Sequence, residues 1–204
     1  MLEIISLISV IIAVIFLRRI VDILPSAFAC TLRWRECIRI DASLKTSRDR
    51  DFTALVLIIP ILLTTQKYEI IPYRFFESMT SEAEFLVLCG VFAGYLAFRS
   101  FASALFLSNK NHKKSRTPDN SDRTFFIILS VLILTFSWIM SIIGIETTVI
   151  KSTIIWISAA TYMLYFVRKF QIFQSSRSIF SAFLYLCALE IVPTVILVVS
   201  AIIF

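Results

Sequence analysis

Long apolar runs separated by short polar segments dominate the hydropathy pattern of this chain. Six runs are long enough, or nearly so, to be membrane-spanning helices: residues 2–17, 52–71, 85–108, 124–145, 148–167 and 179–204. A helix needs about 20 apolar residues to cross roughly 30 Å of hydrocarbon. The second run reaches that length only through Ile70 and Ile71, so the count becomes five if it fails to span. The runs are continuous rather than alternating, which argues against the strands of a membrane barrel. The pattern therefore predicts an all-α polytopic membrane bundle of about six transmembrane helices, one domain over residues 1–204.

The polar segments supply punctuation. Ser81-Glu82-Ala83-Glu84 reads as a capping box at the head of the third span. Asp51 and Asp122 stand where they would cap the second and fourth, with a charge that suits the helix dipole. Residues 109–123 are polar throughout and contain Pro118, as in a solvated loop. Tyr68, Tyr73, Phe75 and Phe76 cluster where an interfacial belt would lie. Residues 28–41 (FACTLRWRECIRID) fit neither a clean helix nor an isolated strand. They are expected on the membrane surface, arginines toward anionic headgroups and Trp34 in the interface.

Composition narrows the class. Apolar residues make up 58% of the 204 and charged residues 17%, with 19 Phe. An average soluble domain carries about 25% charge. A disordered chain would be polar and charge-rich, and four scattered cysteines do not make a disulfide scaffold.

The net charge of +6 is unevenly placed. Arg18, Arg19, Arg33, Arg35, Arg39, Lys45, Arg48 and Arg50 follow the first run. Lys110, Lys113, Lys114, Arg116 and Arg123 follow the third, and Arg168, Lys169 and Arg177 the fifth. The alternate connections hold only Lys67, Arg74 and Lys151. Basic loops stay in the cytoplasm, so residues 18–51, 109–123 and 168–178 are expected there, with both termini outside. Met1-Leu2-Glu3 is acidic, and Arg18-Arg19 come after the apolar core. This reads as an uncleaved anchor rather than a signal peptide.

Two charges escape this pattern, and an ionisable group inside a span is a functional candidate by default. Glu190 lies roughly 15 to 20 Å beyond the Arg177 edge, and Arg99 about 15 Å before Asn109, at 1.5 Å per residue. Their similar depth and opposite sign predict a pair, read either as a latch between spans or as a proton relay. Pro193, three residues after Glu190, frees the carbonyl of Leu189 and should kink the last span. Pro60 reads as a shape-only kink of the second.

Gly90 and Gly94 form a GxxxG motif that lets helix backbones approach. It is read as packing within the bundle ahead of homodimerisation. Ser158, Thr161 and Tyr165 on the fifth span, and Ser130, Ser137 and Ser141 on the fourth, should face inward. Chemistry for catalysis is sparse. His112 is the single histidine, and no cysteine has metal-site spacing. Cys30 and Cys37 are expected reduced in the cytoplasm, with Cys89 and Cys187 inside spans. No phosphate loop or activated serine appears. No cofactor, no metal, no nucleic acid and no enzymatic activity are expected.

Arg168-Lys169-Phe170-Gln171-Ile172, followed by FLYLCALEIVP over residues 183–193, resembles the C-terminal signature of a family of small multi-span membrane proteins. It is a domain-of-unknown-function family of Bacteroidetes-type bacteria. The resemblance implies an inner-membrane location and no particular activity, and makes Glu190 and Pro193 motif residues. The expected role is a non-enzymatic accessory or scaffold subunit of a cell-envelope assembly, touching the lipid bilayer and a membrane-protein partner. The alternative is a small transporter or channel using Glu190 and Arg99; an inverted repeat would favour it, but the two halves do not align convincingly.

Overall fold

The computed structural model describes residues 2–70, 80–107 and 117–174, together with residues 183, 186, 187, 191, 192, 194 and 195. Among the described residues the chain is helical without strands. The order is α1 (Leu2–Ile15), α2 (Leu17–Leu32), α3 (Trp34–Ala42), α4 (Leu44–Lys67), α5 (Ser81–Leu107), α6 (Thr117–Ile143) and α7 (Thr147–Gln174). Among the described residues three segments are long and apolar enough to cross a membrane: Ser81–Phe98, Ser121–Ile143 and Thr147–Ile172. A fourth exists if Ile4–Ile15 and Leu17–Leu32, bent by 67°, form one broken span. The last expected span, 179–204, falls largely outside the described residues.

The bend follows from charge. Arg18 and Arg19 stand in the first turn of α2, just past Phe16, where the helix breaks, so α2 turns aside and runs as an amphipathic helix. Its inward stripe is Ile20, Ile23, Ala27 and Cys30, spaced by three and four. The Arg19 guanidinium sits 5.6 Å from the rings of both Phe16 and Phe52, which pins the bend against α4. Residues 28–41 are helical, contrary to the sequence reading. Extended Arg33 divides them into two short helices whose buried residues keep one seven-residue spacing, Ile23, Cys30 and Cys37. The interruption and the arginines around it hide that spacing from a hydropathy reading.

Helix α4 begins earlier than expected, at Leu44. Ser43, not Asp51, caps it, accepting from Thr46 N at 3.5 Å. Between Asp51 and Lys67 its apolar length is roughly 23 Å at 1.5 Å per residue, short of the hydrocarbon thickness. It survives by enclosure: Thr53, Ala54, Val56, Leu57, Ile61 and Leu62 are all buried. Helix α6 likewise begins at Thr117, ahead of Asp122, so residues 117–123 are helix rather than loop. Pro118 falls in the first turn, where its missing N–H is harmless. Helix α7 continues through Arg168 and Lys169 to Gln174, again past the expected boundary.

The α6–α7 turn falls slightly ahead of the expected one: α6 ends at Ile143 and α7 begins at Thr147, against expected limits of 145 and 148. Gly144 takes φ +77°, a left-handed conformation that favours glycine. Ile145 N donates to Met140 O at 3.1 Å and Gly144 N to Ser141 O at 3.3 Å, which closes α6 with a Schellman motif. Helix α5 starts at Ser81 as expected. The partners differ from a capping box: Glu84 N donates to Thr80 O at 3.0 Å, and the Glu84 carboxylate accepts from Gln66 of α4 at 3.1 Å.

Three apolar clusters order the bundle along its axis. One at the α6–α7 turn end joins Ile61, Leu62, Phe85, Ile133, Ile150 and Ile154, with Ile5 of α1 against it. A middle cluster joins Ile20, Ile23, Ala54, Leu57 and Ile127. The third lies at the opposite, basic end and joins Ala27, Cys30, Cys37, Ile40, Phe125 and Ile172. Tyr68 is buried in the first cluster rather than in an interfacial belt; Tyr73, Phe75 and Phe76 lie outside the described residues.

Candidate functional site

The charges that stand out structurally lie at the basic end, where two ion-pair groups meet at adjacent residues of α6. In the first, Arg50 is 1% exposed and its Nε and Nη2 both donate to Asp51 Oδ1 at 3.0 Å, while Nη2 also reaches Ser47 at 3.1 Å. The other Asp51 oxygen pairs with Arg123 of α6 at 2.5 Å. A guanidinium this buried is tolerated because its fork is matched to acceptors on its own helix.

In the second group, Lys169 of α7 is also 1% exposed and donates to Asp122 Oδ1 at 2.9 Å and to the Tyr165 hydroxyl at 2.7 Å. The Tyr165 hydroxyl donates to the same Asp122 oxygen at 2.5 Å. The three polar groups close a triangle, and the ammonium also lies 5.2 Å from the Tyr165 ring centre. A cavity of about 150 Å³ between α5, α6 and α7 opens beside it, lined by Tyr95, Asp122, Thr161 and Tyr165.

A third tie reaches the surface helices. Arg168 donates to the carbonyls of Thr31 at 2.8 Å and Leu32 at 3.1 Å, groups that α2 leaves without helical partners. Its charge also suits the negative end of the α2 dipole. Cys30 and Cys37 form a disulfide between α2 and α3, with Cα atoms 5.0 Å apart. This corrects the expectation of reduced thiols: the break at Arg33 folds α3 back so that the two inward stripes meet.

The residues singled out from the sequence fare differently. Asp122 and Asp51 are pair partners between helices rather than caps. Thr161, Tyr165, Ser130 and Ser137 are buried as expected and Ser158 is half-buried, but Ser141 is exposed. Among the described residues the hydroxyls of Ser130 and Thr53 have no hydrogen-bond partner. Gly90 and Gly94 lie on an exposed face of α5, where an added Cβ meets nothing within 4 Å among the described residues.

Arg99 falls within α5, but its side chain, like Glu190 and Pro193, lies outside the described residues. Among the described residues no group of His, Cys, Asp and Glu could hold a metal ion. The Lys169–Asp122 pair was missed because Lys169 counts as one more basic-loop charge in a positive-inside reading. Its signal was symmetry: Asp122 and Lys169 lie almost equally far from the Gly144 turn, so an antiparallel hairpin sets them opposite each other. Comparison with family models, with curated proteins and with solved structures finds no match.

Proposed function

We propose that the chain is a multi-pass protein of a bacterial inner membrane, with its basic end in the cytoplasm and both termini outside. Its proposed role is that of a non-enzymatic accessory or scaffold subunit of a cell-envelope assembly, held against lipid and a membrane-protein partner. The observation that carries this reading is the saturated network at the basic end. Arg50, Asp51, Arg123, Asp122 and Lys169 bond mainly to one another, which suits a latch more than a site of turnover.

The apolar faces of α1, α5 and α7 support the membrane placement: Leu7, Val14, Leu86, Phe101, Trp156 and Met163 are all exposed. The C-terminal resemblance over residues 183–193 supports the inner membrane and belongs to the same proposal, as do six spans and the Arg99–Glu190 pair. A disulfide on the cytoplasmic side is compatible with this orientation, since Cys30 and Cys37 are 0% and 3% exposed and thiol exchange requires access.

Three measurements test the reading. The protein stays with membranes through an alkaline carbonate wash. An impermeant thiol reagent added outside spheroplasts labels a cysteine placed at Ser81 but not one placed at Lys113. In mild detergent a membrane-protein partner co-purifies at fixed stoichiometry. A lone protein that carries Glu190-dependent proton flux into liposomes would overturn the scaffold role in favour of a small transporter.

A further inference from the structure

The opposite end of the bundle holds a cleft of about 900 Å³ between α1, α4, α5 and α6. That volume is within the range of small-molecule sites, roughly 300–1,000 Å³. Its wall includes Leu63 and Leu134, and it opens sideways past Leu7, an exposed residue of α1. Its rim carries Lys67, Glu69 and Glu84.

Two observations mark it as a receptor rather than a packing fault. The half-buried Glu84 carboxylate accepts one hydrogen bond, from Gln66 at 3.1 Å, and among the described residues no Lys or Arg pairs with it. An ionised carboxylate offers about four acceptor sites. Independently, Ser9 lines the cleft, is 5% exposed, and its hydroxyl has no hydrogen-bond partner among the described residues. Unlike the Thr53 and Ser130 hydroxyls, that of Ser9 is not sealed off, so it can bond to whatever occupies the cleft.

We infer that this cleft binds an amphiphile bearing a primary ammonium head, its chain along the Leu63 and Leu134 wall and its ammonium on Glu84. Among the described lining residues two carboxylates stand against one lysine, a balance that selects a cation. Carboxylate lone pairs favour a head group that donates N–H bonds over a quaternary one. Lys67, exposed at the same rim, suits a phosphate where the amphiphile is a phospholipid. The inference rests on the membrane reading for the supply of ligand, and the chemistry is shared by phosphatidylethanolamine and by a free long-chain amine.

The test uses the full chain in nanodiscs of equal phosphatidylethanolamine and phosphatidylcholine, with retained lipid counted by native mass spectrometry. A parallel arm adds dodecylamine, with dodecanol as control. Preferential retention of phosphatidylethanolamine identifies the lipid as source; retention of dodecylamine over dodecanol without lipid preference identifies a free amine. Either result supports the site when Glu84→Gln lowers retention about tenfold, the loss of one charge-assisted bond, and Ser9→Leu, which fills the cleft, lowers it as well. The helical signal and thermal midpoint of both variants are checked in the same discs. Equal retention of the two lipids together with equal retention of amine and alcohol overturns the inference, and so does retention unchanged in both variants. Failure of the membrane reading is distinct: the protein would not enter the discs at all.

Discussion

The two ends of the bundle handle buried polarity in opposite ways. At the basic end Arg50 and Lys169, each 1% exposed, are met by carboxylates, hydroxyls and a ring face. At the turn end, among the described residues, Glu84 has one neutral donor and Ser9 has no partner. A charge taken out of water must be paired, so the first arrangement holds helices together. The second leaves bonding capacity facing an open cleft. The difference separates a part built to stay closed from a part able to receive something.

The largest expected effect comes from breaking the closed end. Lys169→Met strips Asp122 of its cation and should cost about 3–5 kcal/mol, read as a lowered unfolding midpoint in detergent. Adding Asp122→Asn to that variant should recover part of the loss, because the stranded charge is then gone. Reduction of Cys30–Cys37, or Cys37→Ser, releases a loop with a sequence separation of 7. On the loop-entropy account this costs about 2–3 kcal/mol, measured by the same unfolding under oxidising and reducing conditions.

Arg123→Ala should cost under about 1 kcal/mol, because its side chain is half exposed and solvent already screens it. A larger loss would mean that Arg123, rather than Arg50, anchors Asp51. Gly90→Ala should stabilise α5 by about 0.5–1 kcal/mol, since the added methyl meets open space. Destabilisation there would reveal a helix seated on that face. At the turn end Glu84→Gln should move the midpoint by no more than about 0.5 kcal/mol, because no ion pair is lost. A drop comparable to that of Lys169→Met would erase the contrast between the ends.

Legibility from the sequence followed locality. The start of α5 at Ser81 was readable because it depends on a few neighbouring residues, whereas the Gly144 turn lies inside a run read as continuous span. Helices α2 and α3 were not readable, because the break at Arg33 interrupts the inward stripe and three arginines crowd the same short stretch. Asp51 and Asp122 were read as caps because acidic residues before apolar runs commonly cap. Nothing in their neighbourhoods reveals that Arg123 and Lys169 lie opposite them.

What the amino-acid sequence determined by itself is the helical class and the presence of long apolar helices, since hydropathy sums over neighbouring residues without reference to any partner. Tertiary structure alone decided which charges meet, which side of short α4 is buried, and that Cys30 faces Cys37. It also decided that a cleft opens beside Glu84. Each of these depends on the rotation and axial register of one helix against another. A turn of 100° per residue means that a shift of one position sends a side chain to a different neighbour.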